Sequence, residues 1–197
     1  MALKQTPSQT VGPFFAYGLT PEQYGYTEMS SIASGTMASD DTEGTLIRVE
    51  GRVFDAEDTV VPDAMIEIWQ ADAQGRYAHP ADSRSSNAGF TGFGRTGTGT
   101  DPENRFIFET VKPGPIGDGQ APHLNVIVFM RGMPLHAFTR IYFSDETSAN
   151  DADPLLRSVP EERRQTLIGE RQDGPGRGVY VFDVHLRGEQ ETVFLDA

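Results

Sequence analysis

The sequence predicts a mostly β protein, an antiparallel β-sandwich carrying a long N-terminal arm and a short helical excursion near 154–171. Two observations point there. From Leu46 onward the chain is a series of short runs rich in Val, Ile, Phe, Tyr and Thr, separated by Gly, Pro, Asp and Asn, the pattern of short strands joined by turns. Only one stretch, 160–171, reads as helix, with Pro160 at its start, Glu161 and Glu162 in its first turn and Leu167 and Ile168 as its apolar side.

Residues 1–44 hold little periodicity and many breakers, among them Pro7, Gly12, Pro13, Gly18, Pro21, Gly25 and Gly35, so an extended arm is expected. It has little of its own to pack on, and Phe14, Phe15, Tyr17, Tyr24 and Tyr26 call for a partner surface. The run 46–55 alternates Leu, Ile and Val with charged residues, which marks a half-buried strand. Runs 64–71, 105–110, 124–130, 139–143, 179–186 and 191–194 complete seven expected strands. One domain over 1–197 accommodates them, with 45–197 as the sandwich.

The chain carries 29 acidic and 16 basic residues, a net charge of -13, so its field opposes nonspecific binding to nucleic acid and anionic lipid. An anionic ligand needs a local cation. With no Cys, disulfide scaffolds, thiolate ligands and Cys nucleophiles are excluded together. The longest apolar run, 126–130, is far too short to cross a bilayer, and the first residues hold no apolar stretch of signal-peptide length, so a cytoplasmic protein is expected. Gly92-Phe93-Gly94-Arg95-Thr96-Gly97 is a literal G-x-G-x-x-G, but the turn-rich Thr98-Gly99-Thr100-Asp101-Pro102 follows it, so no helix N-terminus is available for a pyrophosphate. A tight loop crossing, with Phe90 and Phe93 packed inward, is expected instead. His79, His136 and His185 have no ligand-like spacing, and Trp69 in an apolar run reads as core.

The order of motifs says more than any single residue. Trp69-Gln70-Ala71-Asp72 with Gly75-Arg76-Tyr77, then Phe93-Gly94-Arg95-Thr96, then Lys112-Pro113-Gly114-Pro115-Ile116, then Ala121-Pro122-His123-Leu124-Asn125 resembles the iron-site framework of the intradiol ring-cleavage dioxygenases. That family has a prealbumin-like sandwich and holds a ferric ion with two Tyr and the two His of an H-x-H pair. Here the four positions read Tyr77, Ile116, His123 and Asn125. An Ile has no donor atom and an Asn amide poorly replaces a neutral imidazole, so the resemblance implies a member without a metal site, the four residues being vestigial. Gln120 stands where iron-bearing members have an Arg, so a cationic helper is expected to be lost as well.

Segments 6–14, 129–132, 139–146, 163–168 and 188–196 resemble more narrowly the iron-free chain of family members built from two homologous chains. The resemblance implies that Fe(III) sits on the partner chain and that a higher-order hetero-oligomer cleaves 3,4-dihydroxybenzoate with dioxygen to 3-carboxy-cis,cis-muconate. No catalytic residue lies in this chain on that reading. Its part is to complete the substrate pocket with Thr10, Gly12, Pro13, Phe14 and Arg131, the last offering a cation to the benzoate carboxylate. Phe14 replaces the family's usual Tyr, leaving packing without a hydroxyl. Arg131 has a competing reading as a salt bridge beside a strand end. For the whole chain the rivals are a noncatalytic β-sandwich interaction module and an enzyme that recruits metal through other residues; only four His and no Cys leave the latter no visible cluster.

Overall fold

A computed structural model describes residues 7–84, 89–172, 174 and 176–196. Its strands are β1 (Leu46–Gly51), β2 (Val53–Phe54), β3 (Met65–Trp69), β4 (Phe93–Gly97), β5 (Phe106–Val111), β6 (His123–Phe129), β7 (Ala137–Phe143), β8 (Ile168–Gln172), β9 (Gly178–Val181) and β10 (Val184–His185). Eight form one sheet in the order β4-β3-β6-β7-β8-β9-β1-β5, and β2 pairs with β10. The sheet folds over so that Ile47, Val49 and Phe108 meet Ile66, Leu124 and Val126 in one apolar cluster, each at most 1% exposed. Each such side chain contributes roughly 1.5–3 kcal/mol by leaving water.

The mostly β expectation holds and most strand pairs are antiparallel, but the sheet is mixed. β1 with β9, β7 with β8 and β2 with β10 are parallel pairs. The β7–β8 pair is made possible by the helical excursion, because parallel neighbours need a long crossover. That excursion comprises α2 (Thr147–Ala152), α3 (Pro154–Ser158) and a 3-10 segment, Glu161–Leu167. The helix expected over 160–171 therefore ends at Leu167 and is not α-helical. A single apolar pair makes no stripe along a helix, so tertiary packing decides. Leu167 buries against Tyr142 and Leu156, and Ile168 starts β8 opposite Tyr142.

The run 46–55 divides between β1 and β2, and 179–186 between β9 and β10, where Arg52 donates its amide to Asp183 Oδ1 at 2.8 Å. Residues 191–194 form no strand; only Leu195 bridges, its amide donating to the Phe138 carbonyl. The Gly-rich crossing is in its second half the strand β4, and Phe93 stays half-buried on the outer face instead of packing inward. Gly94 is tolerated in it because a Cβ there would come within 2.5 Å of Met37 Sδ and 3.1 Å of Phe108.

The arm does have something of its own to pack on. Residues 1–6 lie outside the described residues; beyond them the arm forms α1 (Phe15–Leu19) and a 3-10 turn, Pro21–Tyr24. Gln23 exchanges two hydrogen bonds with the Gly97 backbone, at 2.7 and 2.9 Å. Ser34 accepts from the Arg95 amide on β4, while Gly35 and Met37 bond Glu109 on β5. Since β4 and β5 are the two ends of the sheet order, residues 34–37 bridge its open seam.

Candidate functional site

Two places carry the residues expected to be functional. The first is the turn after β6. Arg131 stands just past Phe129, and Gly132, at φ +92°, donates its amide to Thr10 Oγ1 at 2.8 Å. This bond fastens the arm to the turn across 122 positions of sequence. Ser8, Gln9 and Val11 with Phe129, Met130 and His136 line a cavity of about 260 Å³ beside it.

Arg131 is 54% exposed and its Nε makes an ion pair with Asp63, the competing reading from sequence. Such a pair in water is worth at most about 1 kcal/mol. It orients the fork while the Nη1–Nη2 edge binds no protein group among the described residues. Gly12, Pro13 and Phe14 make no hydrogen bond or ring contact with Arg131. Phe14, 77% exposed, lies 6.1 Å from the Tyr17 ring, which lies 4.5 Å from Tyr24. The Tyr24 phenol is pushed up by burial, then by Tyr17 and by Asp63.

The second place is the outer face of β3, β6 and β7. Strand periodicity puts His123 and Asn125 on one face of β6 and Arg140 and Tyr142 on the matching face of β7. The register pairs His123 with Tyr142, Asn125 with Arg140, and Asn125 with Trp69. Tyr77 stacks on Trp69 at 5.8 Å and 13°. The W-Q-A-D motif is the frame: Gln70, fully buried, donates to the Val111 carbonyl and accepts from Thr110 Oγ1, and Asp72 accepts the amides of Gln74 and Arg76. Gly75, at φ +74°, lets the Pro115 carbonyl approach where a Cβ would sit, bringing the loop of Ile116 beside that of Tyr77.

These residues do not fit a ferric ion. Ile116 offers no donor, and Asn125 is fully engaged, its Nδ2 donating to the Trp69 carbonyl at 3.2 Å and to Tyr77 Oη at 3.4 Å. Its Oδ1 accepts from Arg140 Nε at 3.0 Å, so a fixed guanidinium charge lies where a cation would have to come. Arg140 Nη1 also donates to Gln120 Oε1 at 3.2 Å. The expected loss of a cationic group with Gln120 is thus corrected, because β7 supplies one. No local signal marks Arg140 in the sequence; it meets Gln120 and Asn125 only through the β6–β7 register.

His123 is 2% exposed, with Nδ1 against the Ala121 carbonyl at 2.8 Å and Nε2 without a partner. Burial first, then Arg140, lowers its pKa to about 4, so it is neutral at pH 7. Burial raises the Tyr77 phenol, against the pull of Asn125 and Arg140. Among the described residues no group of three or more His, Cys, Asp and Glu could hold a metal. His79 caps a turn at the Ala81 amide, His136 packs between Phe129 and Phe138, and His185 stacks on Phe54.

Comparison with known proteins agrees with this arrangement. A family model described as "Dioxygenase" matches residues 20–188. The protocatechuate 3,4-dioxygenase alpha chain of Burkholderia cepacia is 54% identical over 195 residues, 98% of each chain. The beta chain of the same enzyme and organism is 33% identical over 162 residues, 76% of this chain and 67% of that one. In fold, an intradiol ring-cleavage dioxygenase from Tetranychus urticae superposes with a TM-score of 0.60 at 17% identity, covering 97% of this chain and 100% of the other. The chain belongs to the intradiol ring-cleavage dioxygenase family.

Proposed function

We propose that this chain is the iron-free alpha subunit of a cytoplasmic, heteromeric protocatechuate 3,4-dioxygenase, which opens 3,4-dihydroxybenzoate with dioxygen to 3-carboxy-cis,cis-muconate. The observation that carries this is 54% identity over 98% of an alpha chain, and it is supported by Ile116 and Asn125, which do not suit a ferric ion. Iron chemistry falls to a homologous beta chain, and the similarity to such a chain supports that partner. A noncatalytic module in some other assembly is disfavoured by the same near-full-length identity.

Within the assembly this chain binds and orients. Thr10 and Gly132 fix the arm next to Arg131, whose free Nη edge suits the planar fork of a carboxylate. Gly12 and Pro13 turn the backbone ahead of α1, the Gly12 carbonyl accepting the Phe15 amide at 3.2 Å, and leave Phe14 projecting as an apolar wall. Exposed Phe14, Tyr17, Tyr26 and Leu135 offer a partner apolar side chains. No helix among the described residues is long and apolar enough to cross a membrane.

Co-expression tests the reading. Produced with the homologous iron-bearing chain, this chain should purify in a stable complex that carries iron and cleaves protocatechuate. Produced alone, it should be colourless and inactive. Stoichiometric iron and activity in the lone chain would overturn the proposal.

A further inference from the structure

The outer face of β3, β6 and β7 encloses, with α3 and the C-terminal segment, a cavity of about 600 Å³. Its walls are mainly apolar, with Trp69, Ile127, Phe138, Leu155 and Leu195, and Arg140 lies in it beside Asn125. A half-buried guanidinium that has left water normally gains an acid in exchange. On the same half of the sheet Arg95 does so, with Glu67 at 2.6 and 2.7 Å.

Arg140 does not. Its acceptors are Asn125 Oδ1, Gln120 Oε1 and the Tyr142 hydroxyl, all neutral, and its Nη2 makes no bond among the described residues. Asp153 stands behind Tyr142, but its carboxylate already accepts from the amides of Leu155, Leu156 and Ala121 and from that hydroxyl. Of the two acids lining the cavity, Glu67 is neutralised by Arg95, and Asp196 makes no ion pair with Arg140. A guanidinium whose direct acceptors are all neutral, with the Asp153 carboxylate one hydroxyl away behind Tyr142, stands at the side of an apolar chamber and is a recognition element for an anion with an apolar body. A chamber of this size suits a ligand of roughly benzoate dimensions or larger.

We propose that this cavity is a binding site for a small organic monocarboxylate, the carboxylate on Arg140 and the apolar body against Trp69 and Phe138. The inference rests on this chain's own residues and stands whichever chain carries iron.

Trp69 is the only Trp of the chain and lines the cavity, so its fluorescence reports occupancy. Titrating the full-length chain with benzoate should give a saturable change at one site per chain. Benzyl alcohol, similar in size but uncharged, should bind at least tenfold more weakly to the unmodified protein. Arg140→Gln should weaken benzoate by a similar factor. The absence of a saturable change, or equal affinity for benzoate and benzyl alcohol, contradicts the proposal without reliance on any variant. Loss of the signal in Arg131→Leu with retention in Arg140→Gln would place the ligand at the other edge and equally refute it.

Discussion

Arg140 and Asn125 are register partners across the β6–β7 ladder, and the Arg140 Nε donates to Asn125 Oδ1 at 3.0 Å. By the resemblance to the family's iron framework, 125 is the place of the second His of its pair, and this bond sets a positive charge against it. Losing two ligands is therefore only half of the departure from a metal site. The other half is a guanidinium that the same face now holds in place.

Restoring the ligands should then not be enough. Ile116→Tyr with Asn125→His leaves a guanidinium beside the new donors, and two positive charges at contact in a half-buried site repel by several kcal/mol. The double variant should take up little iron. Adding Arg140→Gln should raise occupancy at least tenfold, read from metal content and the visible phenolate-to-iron band. Equal occupancy in double and triple variants would show that Arg140 does not guard the site.

His123 gives the chain a pH dependence. With a folded pKa near 4 and an ordinary value of 6.5, the native state favours the neutral ring. Its stabilising share is complete above about pH 6.5 and lost as pH falls towards 4, because the unfolded chain takes the proton first. The groups around it are Arg140, which lowers the pKa, and the Ala121 carbonyl and Asp153, which oppose that. Urea unfolding should show roughly 2 kcal/mol lost between pH 7 and pH 5 on this account, and His123→Gln should flatten that slope. Parallel slopes in the two proteins would contradict it.

Asp153 ties the helical excursion to the sheet. Fully buried, it caps α3 through two amides at 2.9 Å, accepts the Ala121 amide at 2.9 Å and the Tyr142 hydroxyl at 3.1 Å. Asp153→Ala strands four donors and should cost about 3–5 kcal/mol in denaturant unfolding. Asp153→Asn keeps the Oδ1 acceptor for the cap and should cost about half as much. A loss below about 1 kcal/mol in the Ala variant would mean that water replaces the carboxylate.

The strands of the core are readable because Leu46 to Phe54 and Leu124 to Phe129 alternate in burial, while Met65 to Trp69 is apolar but for Glu67. β8 is not, since Gly169 is the only buried residue in Ile-Gly-Glu-Arg-Gln and its place comes from pairing with β7 and β9. The polar Thr-Ser-Ala-Asn-Asp-Ala of α2 buries nothing and gave no helical stripe. The arm lacks a period because it follows a seam rather than a strand or helix. At the candidate site, motif resemblance points to Thr10 and Arg131, and the Gly132 amide next to Arg131 donates to Thr10 Oγ1. Arg140 was missed because nothing near it in sequence reveals a neighbour fifteen positions earlier.

This chain is proposed to supply substrate recognition to chemistry performed on its partner, and Arg131 tests that most directly. If Arg131 binds the carboxylate as proposed, Arg131→Leu in the assembled, iron-loaded enzyme should remove a charge-assisted contact of roughly 1.5–3 kcal/mol, so kcat/KM for protocatechuate should fall about ten- to a hundredfold. Because the contact is remote from the bonds that break, most of the loss should appear in KM. Iron content should not change, and catechol, which has no carboxylate, should be affected far less. If protocatechuate and catechol fall equally, or neither falls, Arg131 serves only its ion pair with Asp63 and the account is wrong.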